Sequence, residues 1–89
     1  MKSHTTARFR ETLAGLPAHV QRQARAAYTL FAQDPTHPSL RFKQVHETRP
    51  IHSARVGLGY RALCVRDGES LIWFWIGSHA EYDRLVASL

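Results

Sequence analysis

A single cysteine, a single methionine and two lysines in 89 residues set aside several kinds of protein at the outset. The lone thiol, Cys64, lies inside an apolar stretch, so neither a disulfide framework nor a zinc site is expected. That usage fits a reducing cytoplasm. No apolar run approaches the roughly 18 residues a membrane-spanning helix needs, and no signal-peptide pattern opens the chain. A membrane is therefore not an expected partner. Repeats, low-complexity tracts and interdomain linkers are missing as well, and this length allows one domain, residues 1–89, with a modest core. Acids are scarce: seven, against ten arginines and two lysines, leave a net charge of +5 and a pI near 10.2. Such a balance favours an anionic partner, either nucleic acid or an acidic protein. Basic surfaces also serve solubility alone, so composition carries the inference only part of the way.

What is present is concentrated in residues 71–82, LIWFWIGSHAEY. Leu71 to Ile76 is an unbroken run of β-branched, aromatic and aliphatic residues, too short to cross a membrane and suited to a strand buried on both faces. Gly77 ends it. Ser78 stands three residues before Glu81, the spacing of a capping box, and so begins a helix. Leu85, Val86 and Leu89 follow Tyr82 at i+3, i+4 and i+7 and continue its apolar stripe. One strand thus crosses the core, turns at a glycine and delivers His79 and Tyr82 at the mouth of a helix.

Upstream, residues 1–5 are short and polar, at best an edge strand. Thr5 or Thr6 can cap a helix whose apolar side is Phe9, Leu13 and Leu16. Gly15 to Pro17 breaks that helix, and Pro17 suits the first turn of a second one carrying Val20, Ala24, Ala27, Tyr28 and Phe31 on one side. Asp34-Pro35 stops it, which makes an antiparallel helical hairpin. The period then changes to two. A strand is expected over Leu40–Val45, then a polar connection at residues 46–50, then strands over Ile51–Val56 and Tyr60–Val65 flanking Gly57-Leu58-Gly59. Asp67-Gly68 signals a second hairpin into the 71–76 strand. The predicted class is α+β, with an N-terminal helical hairpin on a three- to four-stranded antiparallel sheet and a short C-terminal helix.

If Asp67-Gly68 forms the turn, Arg66 faces Glu69, Leu63 faces Ile72 and Arg61 faces Phe74. One face then shows Tyr60, Ala62, Cys64, Leu71, Trp73 and Trp75, without charge, and is assigned to the helical hairpin. The other shows Arg61, Leu63, Val65, Ile72, Phe74 and Ile76. Burial should alternate along Tyr60–Val65 and be nearly complete over Ile72–Ile76. A three-residue Gly57-Leu58-Gly59 loop would set Arg55 directly across from Arg61. Like charges opposed on a sheet are unfavourable, and such a pair is expected where an anion is to be placed.

These residues resemble the RelE/ParE superfamily of bacterial toxins. The similarity lies in Gly59-Tyr60-Arg61-Ala62-Leu63 and in the ending Trp73-Phe74-Trp75-Ile76-Gly77-Ser78-His79-Ala80-Glu81-Tyr82-Asp83, like the family's strand, Ile-Gly and His-x-x-Tyr. It extends over nearly the whole chain after Thr5. The first strand is shorter and more polar than the family's, and a lysine-rich first helix is missing. The resemblance implies the toxin of a type II toxin–antitoxin pair, neutralised by a cognate antitoxin. It also implies one of two activities: cleavage of messenger RNA on the ribosome without a metal, or inhibition of DNA gyrase without catalysis. A third alternative is an inactive relative that only binds an antitoxin or another partner. Arg61, His79 and Tyr82 match the family's site positions and are the candidate catalytic residues.

Cleavage by 2′-hydroxyl attack needs a base, a cation for the developing phosphorane charge and an acid for the leaving oxygen. His79 is an imidazole that can serve as base or acid near neutral pH, or is simply a first-turn helix residue bonded locally. Arg61 can hold a phosphate with two parallel hydrogen bonds, or pair with Glu81 or the terminal carboxylate. Tyr82 is one helical turn from His79 and also begins the apolar stripe, so packing competes with chemistry there. Arg41, Lys43 and Arg55 are candidate RNA or phosphate contacts, although a basic strand edge also guards against aggregation. His4, His19, His37, His46 and His52 have no ligand spacing, and neither metal nor cofactor is expected.

Overall fold

The computed structural model describes residues 2–89. Its elements are β1 (Lys2–Thr5), α1 (Ala7–Ala14), α2 (Ala18–Gln33), a 3₁₀ turn (Pro38–Leu40), β2 (Lys43–Gln44), β3 (Ile51–Val56), β4 (Tyr60–Asp67), β5 (Ser70–Ser78) and α3 (His79–Ala87). The five strands form one sheet in the order β1-β5-β4-β3-β2, with β1 parallel to β5 and the other neighbours antiparallel. No helix among the described residues is long and apolar enough to cross a membrane.

Local chemistry accounts for the helix boundaries. Thr6 caps α1, its Oγ1 accepting from the Phe9 N–H at 3.1 Å. Pro17 lies at the N-cap of α2, one position earlier than the first-turn site predicted for it. Asp34 ends that helix. The hairpin lays Phe9, Val20 and Phe31 into the core, and the Phe31 ring meets Phe42 and Trp73 edge-on, with centroids 5.0 and 5.6 Å apart.

The strand predicted over Leu40–Val45 is mostly something else. Pro38 opens the 3₁₀ turn, where His37 Nδ1 accepts from the Ser39 N–H at 3.2 Å, and Arg41 takes the left-handed conformation with φ 47°. A left-handed residue cannot continue a pleat. Leu40 therefore points into the core, and only Lys43–Gln44 pair with β3.

Both tight turns bear on the register. Gly57-Leu58-Gly59 makes a three-residue loop and sets Arg55 opposite Arg61, as the spacing predicts. The second turn slides by one residue: Asp67 pairs with Ser70, and Gly68-Glu69 forms the loop. Only Gly68 there has positive φ, at 61°. An Asp67-Gly68 turn of the preferred type would need positive φ at both residues, whereas a turn with glycine first needs one. This slide preserves the faces. A β-bulge then changes them: Cys64 pairs with Trp73 but Leu63 pairs with Trp75, so Phe74 is the extra residue on β5. Beyond the bulge Trp75 joins Leu63 and Tyr82 on the α3 side, and Ile76 joins the core under the helical hairpin. Arg61 consequently faces Gly77, where the slid turn without a bulge would give it Ile76 and the predicted register gives it Phe74.

Burial departs from expectation because both faces of the central strand are covered and one face of β5 is covered only in part. Ala62 falls under the hairpin with Cys64, Leu63 under α3 with Arg61, and these four residues of the central strand are all buried rather than alternating. On β5, Ile72, Phe74 and Trp75 stay half-buried, because the nine-residue α3 covers only part of that face.

Gly77 is sterically required. A Cβ there would lie 2.6 and 2.7 Å from Trp75 Cζ2 and Cη2 and 3.4 Å from Glu81 Oε1. Gly77→Ala should destabilise the fold by about 1–3 kcal/mol through overpacking. Gly59→Ala, with nothing within 4 Å of its added methyl, should be close to neutral in the same urea titration.

Candidate functional site

The α3 face of the sheet carries the candidate site. Ser78 caps α3 through a complete capping box, with the Glu81 N–H donating to Ser78 Oγ at 3.2 Å and the Ser78 N–H donating to Glu81 Oε1 at 3.0 Å. The bonds from Ser78, backbone first, hold the exposed Glu81 carboxyl below the usual carboxylate range. Its contribution to the cap is present above that range and fades as pH falls through the lowered value. Glu81 is thereby committed to the helix start. A further bond from the His79 N–H to the Gly59 carbonyl, 2.9 Å, ties the helix to the β3–β4 loop.

Three predicted site residues come together here. Arg61 leaves β4 near its start and reaches over Tyr82, with Cζ 5.3 Å from the ring centroid. His79 meets the same ring edge-on, centroids 5.9 Å apart. Tyr82 is only 7% exposed, and its hydroxyl donates to Ser53 Oγ at 3.2 Å. Arg61 itself is 9% exposed, and its Nε and Nη1 have no acceptor. Neither carboxylate proposed as its partner is used. Among the described residues the one ion pair is His79 Nδ1 with Asp83 Oδ2, 3.1 Å apart.

This environment gives Arg61 two properties. Its guanidinium is stripped of most water, which makes an attached anion bind strongly and makes vacancy costly. It is also oriented, since a cation within about 6 Å of an aromatic face is attracted to the ring. His79 is at the rim, half-exposed, with Nδ1 engaged by Asp83. When Nδ1 carries the hydrogen, Nε2 is left as a free acceptor toward solvent.

The basic candidates fall into place unevenly. Arg55, half-buried, lies directly across from Arg61, and its Nε donates to the Gly57 carbonyl at 2.9 Å. Lys43 pairs with Ser53, which puts it on the same face two strands from Arg61. Arg41 is the left-handed residue before β2 and belongs to no strand, so it is not part of that row. Two neighbours went unpredicted. Asp83 was visible as an i+4 acid after His79 on a helix. Ser53 was visible as a polar residue on the same side of its strand as Ile51. Cys64 takes no part: burial pushes its thiol up to about 12, so it is a packed apolar group. No group of three or more metal-ligating side chains occurs among the described residues.

Comparison with known proteins bears on this arrangement. A family model described as a ParE-like toxin domain matches residues 18–84. A chain of the RelB–RelE antitoxin–toxin complex of Methanococcus jannaschii superposes with TM-score 0.71 at 17% identity, covering 91% of this chain and 96% of that one. The isolated Escherichia coli RelE toxin gives 0.66 at 13% identity, covering 99% and 98%. YafQ of E. coli gives 0.66 at 11% identity, covering 91% and 96%. A search of curated proteins finds no match.

A buried charge without a partner is a stability cost, and its removal should show it. Arg61→Met, which keeps length and apolar contact, should raise the free energy of unfolding by about 1 kcal/mol or more in urea titrations. An arginine held in a hidden ion pair would instead lose about 3–5 kcal/mol when one partner is removed.

Proposed function

The chain belongs to the ParE-like toxin domain family within the RelE/ParE superfamily of type II toxins, and from that premise we propose that it is a metal-independent, ribosome-dependent messenger RNA endonuclease. One observation carries the proposal: a desolvated guanidinium without an acceptor lies over a single aromatic ring that an imidazole with one free nitrogen meets edge-on. Arg61 is the group that receives the scissile phosphate, its guanidinium charge stabilising the extra negative charge of the phosphorane. His79 Nε2 takes the 2′-hydroxyl proton, and Asp83 steadies the imidazolium that forms. Attack of the 2′-oxygen on phosphorus breaks the bond to the 5′-oxygen and leaves a 2′,3′-cyclic phosphate. The Tyr82 hydroxyl is committed to Ser53, so the leaving oxygen takes its proton from water or the ribosome. Arg55 and Lys43 supply charge for flanking phosphates on the same face.

Neutralisation by an antitoxin completes the reading. Structural relatives of M. jannaschii and Pyrococcus horikoshii were crystallised as complexes with RelB. On this chain we assign the antitoxin to the apolar cleft of about 410 Å³ between α1 and α2, lined by Phe9, Leu13, Ala24, Tyr28, Trp73 and Ile76. Tyr28 is 53% exposed there, as a residue awaiting a partner would be. The cleft and the Arg61 site are on opposite faces of the sheet.

A second reading has its own support, because the matching family model is described by ParE. That reading makes the chain a gyrase inhibitor without catalysis.

Expression in a bacterial host separates the two. Halted translation with cleaved messages is expected, whereas a DNA-damage response with intact messages would favour gyrase and no growth defect would leave only partner binding. Arg61→Ala should abolish toxicity without lowering the melting temperature, and Arg61→Lys should restore it only partly, since a point charge cannot make two parallel bonds to a phosphate.

A further inference from the structure

We infer that Ser53 is a positioning residue of this site, acting through Tyr82 on Arg61; the inference rests on the reading of Arg61 as the phosphate-holding group. Ser53 is 0% exposed on β3, on the side of the sheet where Ile51, Leu63 and Tyr82 form the core against α3. A buried hydroxyl in such company is unfavourable unless it is bonded, and alanine or valine would fill the place at less cost. Its bond is to the hydroxyl of Tyr82, 29 residues away in sequence.

That bond adds direction to a contact that packing alone would leave loose. Apolar contact keeps a ring buried but sets its tilt weakly, whereas a hydrogen bond weakens steeply off its axis. The tilt matters because two side chains of the site use the ring. Arg61 Cζ is over its face at 5.3 Å and the His79 ring meets it at 5.9 Å and 66°. Because Arg61 Nε and Nη1 bond to nothing, the Tyr82 face is the main guide to where their hydrogens point. Ser53 pairs with Leu63 and Arg55 with Arg61, so the serine anchors the ring from the row beside the guanidinium. Tyr82 accordingly serves as a platform, its proton held by Ser53, and not as the acid of the reaction.

Inorganic phosphate is the probe, titrated into the full chain while the Arg61 Nε–H resonance is followed by NMR, with thermal melting recorded alongside. Ser53→Ala and Tyr82→Phe each leave one buried hydroxyl unpartnered and should lower the melting temperature. The double variant removes both and should recover most of it. If Ser53 positions the ring, the double variant should still bind phosphate roughly tenfold more weakly than the parent despite its recovered stability. Tyr82→Phe, which keeps ring and volume, gives a second determination of the same loss should the double variant fold poorly. Parent-like phosphate affinity in either variant would make the pair a scaffold bond and overturn the inference. A parent that binds no phosphate, or an Arg61→Ala variant that binds it equally well, would instead remove the anion site and the role of Ser53 with it.

Discussion

A guanidinium drawn out of water with no carboxylate to meet it is the condition to which the α3 side of this structure is adapted. Arg61 sits on the central strand, 9% exposed, with two of its nitrogens unpartnered. Left alone, such a group would turn to solvent or recruit an acid. Neither happens, because its surroundings are occupied by other constraints. Tyr82 offers a π-face, Glu81 is committed to the capping box, and Asp83 is taken by His79. Arg55 opposite adds repulsion rather than relief. The bulge at Phe74 provides the space, because it exchanges Ile76 opposite Arg61 for Gly77. The cost is offset on the far face, where Phe9, Phe31, Leu40, Leu71, Trp73 and Ile76 form a core beneath the helical hairpin. The larger core and the candidate site thus occupy different sides of one sheet.

How legible each part was in the sequence follows from what each segment's residues encode. Helices and caps were readable because they rest on local signals: Thr6 before Phe9, Ser78 before Glu81, Asp34-Pro35 after Phe31. The Arg55–Arg61 pairing was readable because a loop between glycines left few choices. The bulge was not. Leu71 to Ile76 is apolar at every position, and a strand without alternation carries no record of which residue faces which way. A slip of one residue there moves Trp75 and Ile76 between faces without any visible clash of polarity. Residues 40–42 failed for a different reason. Their alternation was real, but Pro38 and the left-handed Arg41 redirect the chain before it reaches the sheet.

The candidate site was legible as a set of positions and less so as a set of roles. Arg61, His79 and Tyr82 were singled out from the sequence, and the fold brings them to one ring. Sequence spacing said that Tyr82 shares a face with His79 but could not say that its hydroxyl turns inward to Ser53. That fact depends on a strand 29 residues away and exists only once the sheet is formed. Asp83 could have been found from helical spacing alone, as the i+4 partner of His79. What a phenol or an imidazole can do is set by where its polar atoms end, and here one ends buried and the other at the rim.

The most direct measurement of the central claim is the end chemistry of a message cleaved by the purified chain in a reconstituted translation system. Attack by the 2′-hydroxyl, with Arg61 on the phosphate and His79 as base, predicts a 5′-hydroxyl on the downstream fragment and a cyclic or terminal phosphate on the upstream one. Fragments ending in 5′-phosphate and 3′-hydroxyl, or a message that stays intact beside an active ribosome, would contradict the account.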